Sequence, residues 1–234
     1  MIAIDESVVF RGGGDIASGA IYRLHQCGFR VAVLELPQPL VVRRTVAFAQ
    51  AVVDGEITIE GVKAVRVDGV EEVKAAWNQN CIPVLVDPTA KTLDALRPSV
   101  LVDGTLAKKN LGTRREMAPI TIALGPGFTA GVDVDAVIET LEGHDLGKVI
   151  YSGTAAPDTG LSVPLLGYST ERVLRAPCSG IIKNRLSIGD TVAKGEVLAR
   201  VNGAPVVAEI SGVIHGLIQD CMHVEKGLKI GDID

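Results

Sequence analysis

Short apolar runs punctuate the first two thirds of the chain, at residues 8–10, 31–34, 82–86, 100–102, 120–124 and 149–151, each followed by turn-forming residues. Unbroken apolar runs of this length mark strands buried on both faces. Between several of them the apolar positions recur at helical spacing. Ile16, Ala17, Ala20, Ile21, Leu24 and Cys27 share one face, Arg23, His25 and Gln26 fall between them, and Gly28 is the stop signal. The spacing predicts further helices over 70–78, with Val73 and Trp77 on one side, over 91–97, and over 134–141, with Asp133 or Asp135 near its start. Strands alternating with helices predict a mostly parallel sheet. Residues 37–69 are less regular and rich in valine, and read as an excursion carrying a small hairpin.

Gly, Pro, Ser and Thr crowd together over 153–167, and from about Thr170 the pattern is all-β. This divides the chain into an α/β domain over 1–168 and a β domain over 169–234. The β domain repeats itself without a gap at an offset of 32 residues, 176–198 against 208–230. Ala176/Ala208, Ser179/Ser211, Gly180/Gly212, Ile182/Ile214, Val192/Val224, Lys194/Lys226 and Gly195/Gly227 are identical pairs. Each copy resembles one half of a lipoyl- or biotinyl-like domain, a barrel-sandwich hybrid of two similar halves. In carriers of that kind the hairpin between the halves holds the modified lysine. Here the hairpin is Asn202-Gly203, a tight-turn pair with no lysine beside it. A swinging arm is therefore rejected in favour of a rigid packing or docking module.

The densest chemical signal is the turn after the first run. Arg11 leads into Gly12-Gly13-Gly14-Asp15, and Gly12, Gly14 and Ala17 fit the G-x-G-x-x-G/A spacing between a strand and a helix. Such a turn brings backbone N–H groups at a helix N-terminus close to a phosphate. Glu35, closing the second run, stands where a dinucleotide site places its ribose acceptor. An acid at Asp15, inside a phosphate loop, is unusual for a plain dinucleotide site. Arg43 and Arg44 follow a Pro-Gln-Pro loop and read either as a phosphate clamp or as a solvated or Glu35-paired couple. Asp103 ends an apolar run at the expected ligand edge of the sheet, and Lys108 follows it. Gly125 and Gly127 form a second glycine loop at a strand end, and Gly153-Thr154 a third. Asp87 ends an apolar run before Pro88 and reads as a turn-former. No Ser–His–Asp or Cys–His set emerges, so no catalytic nucleophile is assigned.

The net charge of −5 gives nucleic-acid binding no general support. Four cysteines are widely spaced, without a C-x-x-C pair or zinc spacing, and Cys27, Cys81 and Cys178 read as reduced thiols, which points to the cytoplasm. Asp5 and Glu6 near the start, and the lack of any long apolar stretch, give no signal peptide and no membrane span as expectations.

Taken in order, Arg11-Gly12-Gly13-Gly14-Asp15-Ile16-Ala17-Ser18-Gly19, residues 36–44, Pro83-Val84-Leu85-Val86-Asp87-Pro88, Lys108-Lys109-Asn110-Leu111-Gly112, residues 125–133, Gly143-His144-Asp145-Leu146-Gly147 and Lys229-Ile230-Gly231-Asp232-Ile233 resemble one family over nearly the whole chain. It is the accessory protein of the selenium-dependent molybdenum hydroxylase system, the YqeB-like family. The first domain more distantly resembles the Rossmann-like part of XdhC-type maturation factors. The resemblance sets the chain's end slightly short of the family's usual tail. It implies a cytoplasmic factor that inserts or protects a molybdenum cofactor or its selenium, with a molybdenum hydroxylase or its maturation factors as partner. The ligand implied is phosphate-bearing, either a molybdopterin-type cofactor or NAD(P). A homo-oligomer is a further partner expectation, and an NAD(P)-dependent oxidoreductase and a non-enzymatic docking protein stay open as alternatives.

Overall fold

A computed structural model describes residues 6–158 and 167–234. The chain divides into two compact units, Met1–Pro39 with Val46–Thr159, and Leu40–Thr45 with Gly160–Asp234. The sequence division at 168/169 differs in one respect beyond its position: residues 40–45 go with the β unit. The link between the two domains expected within 153–167 falls partly outside the described residues.

In the first unit, β1 (Ser7–Arg11), α1 (Asp15–Gln26) and β2 (Arg30–Glu35) form the opening βαβ element. There follow α2 (Ala51–Asp54), the hairpin β3 (Glu56–Ile59) and β4 (Val62–Val67), α3 (Val70–Asn78), β5 (Ile82–Val86), α4 (Leu93–Leu96), β6 (Val100–Asp103) and β7 (Ile120–Leu124). The unit ends in short strands β8 (Thr129–Ala130), β9 (Ala136–Ile138), β10 (Val149–Ile150) and β11 (Gly153–Thr154). One nine-stranded sheet runs in the order β10-β9-β7-β6-β1-β2-β5-β4-β3. It is parallel from β9 through β4 and antiparallel only at its two edge pairs.

Side-chain alternation builds two cores from the same strands. Val8, Phe10, Val31 and Val33 pack with Ala17 and Ile21 of α1, whereas Val9, Ala32 and Leu34 pack with Val73 and Ala76 of α3. Helices therefore cover both faces, which is why these strands read as unbroken apolar runs. The helix expected over 134–141 is instead turn and strand. Asp135 accepts the Thr121 N–H (2.9 Å) and hydroxyl (3.0 Å), which lays 136–138 against β7 in parallel register. The unpaired edge of β7 outweighed a helical spacing that short.

The second unit contains β12 (Val173–Arg175), β13 (Gly180–Asn184), β14 (Thr191–Val192), β15 (Val197–Val201), β16 (Ala204–Val207), β17 (Gly212–Leu217), β18 (His223–Val224) and β19 (Lys229–Ile233). Its sheets run β12-β19-β17-β14 and β16-β15-β13-β18. The sequence repeat maps β13, β14 and β15 onto β17, β18 and β19. The short strand of each copy pairs with the first strand of the other, β14 with β17 and β18 with β13. The residues identical between copies make these exchanges. The Gly195 N–H donates to the Ala208 carbonyl and the Gly227 N–H to the Ala176 carbonyl, both at 2.8 Å. The Lys194 N–H donates to Ser211 Oγ (2.8 Å) and the Lys226 N–H to Ser179 Oγ (3.0 Å). Both lysines thus sit in the turns that join the halves. Asn202 and Gly203 both have positive φ, +46° and +87°, as a two-residue hairpin turn requires. Asn202 Oδ1 accepts the Ile181 N–H (3.1 Å), folding that side chain back onto the unit.

Candidate functional site

In the large sheet β1 lies between β2 and β6, and the chain winds away from β1 in opposite directions on its two sides. Loops diverge at the carboxyl ends of strands where the order reverses, and open sheets place their ligand crevices there. The loop after β1 and the loop after β6 meet at this point.

The three glycines of the first loop have different roles. Gly12, at φ +85°, donates its N–H to the Leu34 carbonyl (2.8 Å), and a Cβ there would lie 3.0 Å from the backbone of Thr105. Gly13 accepts the Ser18 hydroxyl (3.0 Å) and the Ala49 N–H (2.9 Å), and a Cβ would come within 2.9 Å of the Val33 side chain. Gly14 precedes α1 as its cap, with φ −62° and ψ 175°, and a Cβ there would meet nothing within 4 Å. Only Gly14 leaves backbone open at the N-terminus of the helix. Ala17 completes the fingerprint by contact: a Cβ on Gly104 would lie 2.8 Å from that of Ala17, so both small residues let α1 approach the loop after β6. Asp15 is half-buried in the first turn of α1.

Glu35 is 8% exposed and turned inward. Its Oε2 accepts the Gly13 N–H (2.8 Å) and its Oε1 the Leu36 N–H (2.7 Å). Burial raises its pKa, the two N–H groups offset this in part, and the net shift is upward. The carboxylate therefore braces the glycine loop from beneath.

Arg11 and Asp103 are register partners at the ends of β1 and β6. Arg11 Nη1 donates to Thr113 Oγ1 (2.5 Å), and that hydroxyl donates to Asp103 Oδ2 (2.5 Å). The guanidinium also stands 3.6 Å from Asp103 Oδ2, and its Nη2 reaches the carbonyls of Pro88 and Leu111 (both 3.4 Å). Asp103 Oδ1 accepts the Thr105 hydroxyl at 2.6 Å. Asp103 is fully buried and Arg11 nearly so. The pair ties the loops together at this edge of the sheet, with its polar groups committed to one another and to Thr113, Thr105, Pro88 and Leu111.

Lys108 is exposed and ion-paired with Asp158. A Cβ on Gly125, at φ +77°, would lie 2.7 Å from Thr140 Oγ1, and one on Gly127, at φ +99°, would lie 2.9 Å from the backbone of Lys109. These glycines let the loop after β7 pack on the loop after β6. Arg43 and Arg44 belong to the β unit, where Arg43 meets Asp232 (3.3 Å) and Arg44 Nε donates to the Leu217 carbonyl (3.0 Å). The Leu217 N–H in turn donates to the Val42 carbonyl at 2.8 Å, so residues 40–45 are held by backbone as well as by charge.

Asp87 is a turn-former, as expected. Burial raises its pKa, but the Thr92 N–H (2.8 Å) and hydroxyl (2.7 Å), with the Lys91 and Thr89 N–H groups, outweigh that and the net shift is downward. Sequence reasoning missed Thr113 and Glu139. Glu139 is buried and accepts N–H groups of Thr140 (2.8 Å), Leu141 (2.8 Å) and Ala156 (2.7 Å), which fixes the far end of the loop row. Thr113 had a local signal. Asn110 Oδ1 accepts the N–H groups of Gly112 (2.8 Å) and Thr113 (2.9 Å), an Asx-type turn that presents the threonine.

No protein-family model matches the chain. Over 227 residues, 97% of its length, it is 52% identical to "Uncharacterized protein YqeB" of Escherichia coli (strain K12), and it covers 42% of that protein. The chain thus spans about two fifths of the relative's length, far from the slightly short copy expected. An aspartoacylase family protein from Mesorhizobium loti is 11% identical with a TM-score of 0.31, covering 99% of this chain and 85% of that one. The apo Ectoine utilization protein EutE (DoeB) from Ruegeria pomeroyi is 13% identical with a TM-score of 0.30, covering 97% and 86%. Structural likenesses this slight carry no argument. Among the described residues no helix is long and apolar enough to cross a membrane. The identity to the Escherichia coli protein, over nearly all of this chain, supports the YqeB-like family for the part of that protein it spans.

Proposed function

We propose that this chain acts in maturation of selenium-dependent molybdenum hydroxylases, holding a nucleotide or the phosphate-bearing molybdenum cofactor at Gly12-Gly13-Gly14. The observation that carries this reading is Gly14: it caps α1 at the point where β1 and β6 part, with open space where a side chain would be. The first-turn N–H groups of a helix have no intrahelical acceptor, and with the helix dipole they favour an anion. That geometry fits the phosphate of a molybdopterin-type cofactor, whose metal would supply the redox chemistry of the recipient enzyme. The chain's own part is to bind and orient.

Several features support the finer assignments. Helices on both faces of a parallel sheet with a reversal at β1 support a Rossmann-like reading of the first unit. Exchange of short strands between two copies, with no lysine at Asn202-Gly203, supports a lysine-free lipoyl-like docking element in the second. The inward carboxylate of Glu35 favours the accessory reading over a nicotinamide-dependent oxidoreductase, because the expected ribose acceptor already holds Gly13 and Leu36. A molybdenum hydroxylase or one of its maturation factors, in the cytoplasm, is the proposed partner.

The test is a thermal-shift and calorimetric screen with NAD, NADP, ATP, CTP, GTP and molybdenum cofactor on the wild type, Gly14→Val and Asp15→Asn. One phosphate-bearing ligand is expected to raise the Tm, by mass action on the native state. Gly14→Val is expected to lower the melting point of the free chain only slightly, since a Cβ there meets nothing within 4 Å and the loss is that of a glycine N-cap, and to abolish the shift. Asp15→Asn removes an acid from the anion end of α1 and is expected to tighten binding about two- to fivefold. No shift with any ligand would leave a docking protein, and nicotinamide turnover would establish the oxidoreductase.

A further inference from the structure

The excursion that leaves β2 and returns at Phe48 has both of its ends fastened to one peptide of the glycine loop. At its start, Glu35 accepts the Gly13 N–H (2.8 Å). At its end, the Ala49 N–H donates to the Gly13 carbonyl (2.9 Å). Ser18 ties in the neighbouring residue: its hydroxyl donates to the same carbonyl (3.0 Å) and accepts the Phe48 N–H (2.8 Å). Phe48 and Ala49 are fully buried, and a Cβ on Gly13 would lie 3.0 Å from the Ala49 nitrogen. The N–H and the carbonyl of Gly13 are thus set by opposite ends of the same excursion.

Its middle, residues 40–45, belongs to the β unit. There β14 and the turn before it occupy β17 as far as Ile214. Beyond them both polar backbone groups of Leu217 are taken by the excursion, the N–H by Val42 and the carbonyl by Arg44. Val42 packs on the core of the β unit, and Arg43 pairs with the buried Asp232. The internal repeat separates what the β fold requires from what this seat requires. At the same offset of 32, the first copy has Asn184 in place of Gly216 and Arg200 in place of Asp232. A Cβ on Gly216 would come within 3.3 Å of the Val42 carbonyl oxygen. An arginine in place of Asp232 would face Arg43 with like charge. The second copy therefore departs from the repeat where it receives residues 40–45.

We infer that residues 36–50 are a strap that couples the β unit to the glycine loop. While residues 40–45 are seated on β17, the two ends hold the Gly13 peptide, and unseating them loosens it. Coupling between two binding events is reciprocal. An anion held at Gly12-Gly13-Gly14 accordingly tightens the seat on β17, and a partner that displaces residues 40–45 weakens the anion's hold. This consequence rests on the glycine loop being the anion site, whereas the coupling itself does not.

Hydrogen exchange of the full chain without any ligand, read by mass spectrometry, tests the coupling. The variants are Arg43→Ala with Arg44→Ala, and a chain in which residues 40–45 are replaced by glycines and serines of equal number. In both, the amides of Gly13, Phe48 and Ala49 are expected to exchange at least about tenfold faster through local opening, while those of residues 31–34 and 73–76 keep their rates. Because no ligand is present, a glycine loop that binds no anion leaves this outcome unchanged. Wild-type rates at Gly13, Phe48 and Ala49 in the glycine–serine chain would overturn the coupling. A rise extending through residues 31–34 and 73–76 would overturn it too, as a loss of the whole fold rather than of a strap.

Discussion

Asp103→Ala is expected to destabilise the first unit by about 3–5 kcal/mol, the cost of leaving one member of a buried ion pair without its partner. The carboxylate is fully buried, and it receives the Thr113 hydroxyl that relays the Arg11 guanidinium. Removing it strands a buried positive charge and deprives the Thr105 hydroxyl of its acceptor. Trp77, the sole tryptophan, lies in this unit with its indole N–H on the Val31 carbonyl (2.8 Å), so its fluorescence in a urea titration reports this unit directly. The double change Arg11→Met with Asp103→Leu is expected to cost much less, because it removes both charges at similar volume. A midpoint for Asp103→Ala equal to that of the wild type would mean that water already solvates the pair, and the staple would lose its role. A double variant as unstable as the single one would place the stability in the remaining contacts of Arg11 to Pro88 and Leu111.

That staple shows where the sequence is readable and where it stops. Arg11 and Asp103 each stand out as a polar residue closing an apolar run, and both were assigned to a ligand. Their partnership depends on β1 and β6 lying side by side in parallel register, a fact of topology with no local trace. The strands themselves were legible because burial on both faces leaves no polar position to blur the run. The repeat in the β unit was legible for a complementary reason: Ser179, Ser211, Gly195 and Gly227 are kept identical by bonds that cross between the copies.

The misreadings share one cause. Over 134–141 a short apolar spacing suited either period, and the free edge of β7 decided it. Residues 40–45 look like the exit of β2, yet their carbonyl and guanidinium partners, Leu217 and Asp232, lie far along the chain. No window-based pattern contains such a partner. The glycine loop was located correctly on its strand and helix, but the division of labour within it depends on what lies opposite each Cα: Thr105 for Gly12, Val33 for Gly13, and open space for Gly14.

Glu35→Gln is expected to destabilise the chain by about 1–3 kcal/mol, since an amide offers one acceptor where two backbone N–H groups need one each. Gly13 and Leu36 donate to different oxygens of the carboxylate, so whichever way the amide turns, one N–H faces an NH2 group. The pH dependence of this loss has a definite sign. Burial raises the folded-state pKa of Glu35 above its unfolded value, the two N–H donors offsetting only part of that. The folded chain therefore takes up the proton more readily than the unfolded one. The contribution from protonation is fully present below the unfolded carboxyl pKa of about 4.3 and is lost as pH rises through the raised folded value. The stability gap between the wild type and Glu35→Gln should accordingly be smallest at neutral pH and widen on acidification through that window. Paired urea titrations at several pH values, read from Trp77, measure the gap directly, and other carboxylates cancel because both chains carry them. A gap that narrows on acidification would mean that Glu35 is held ionised by its N–H donors. Its brace under the glycine loop would then be electrostatic in origin, with the dipoles of Gly13 and Leu36 outweighing desolvation.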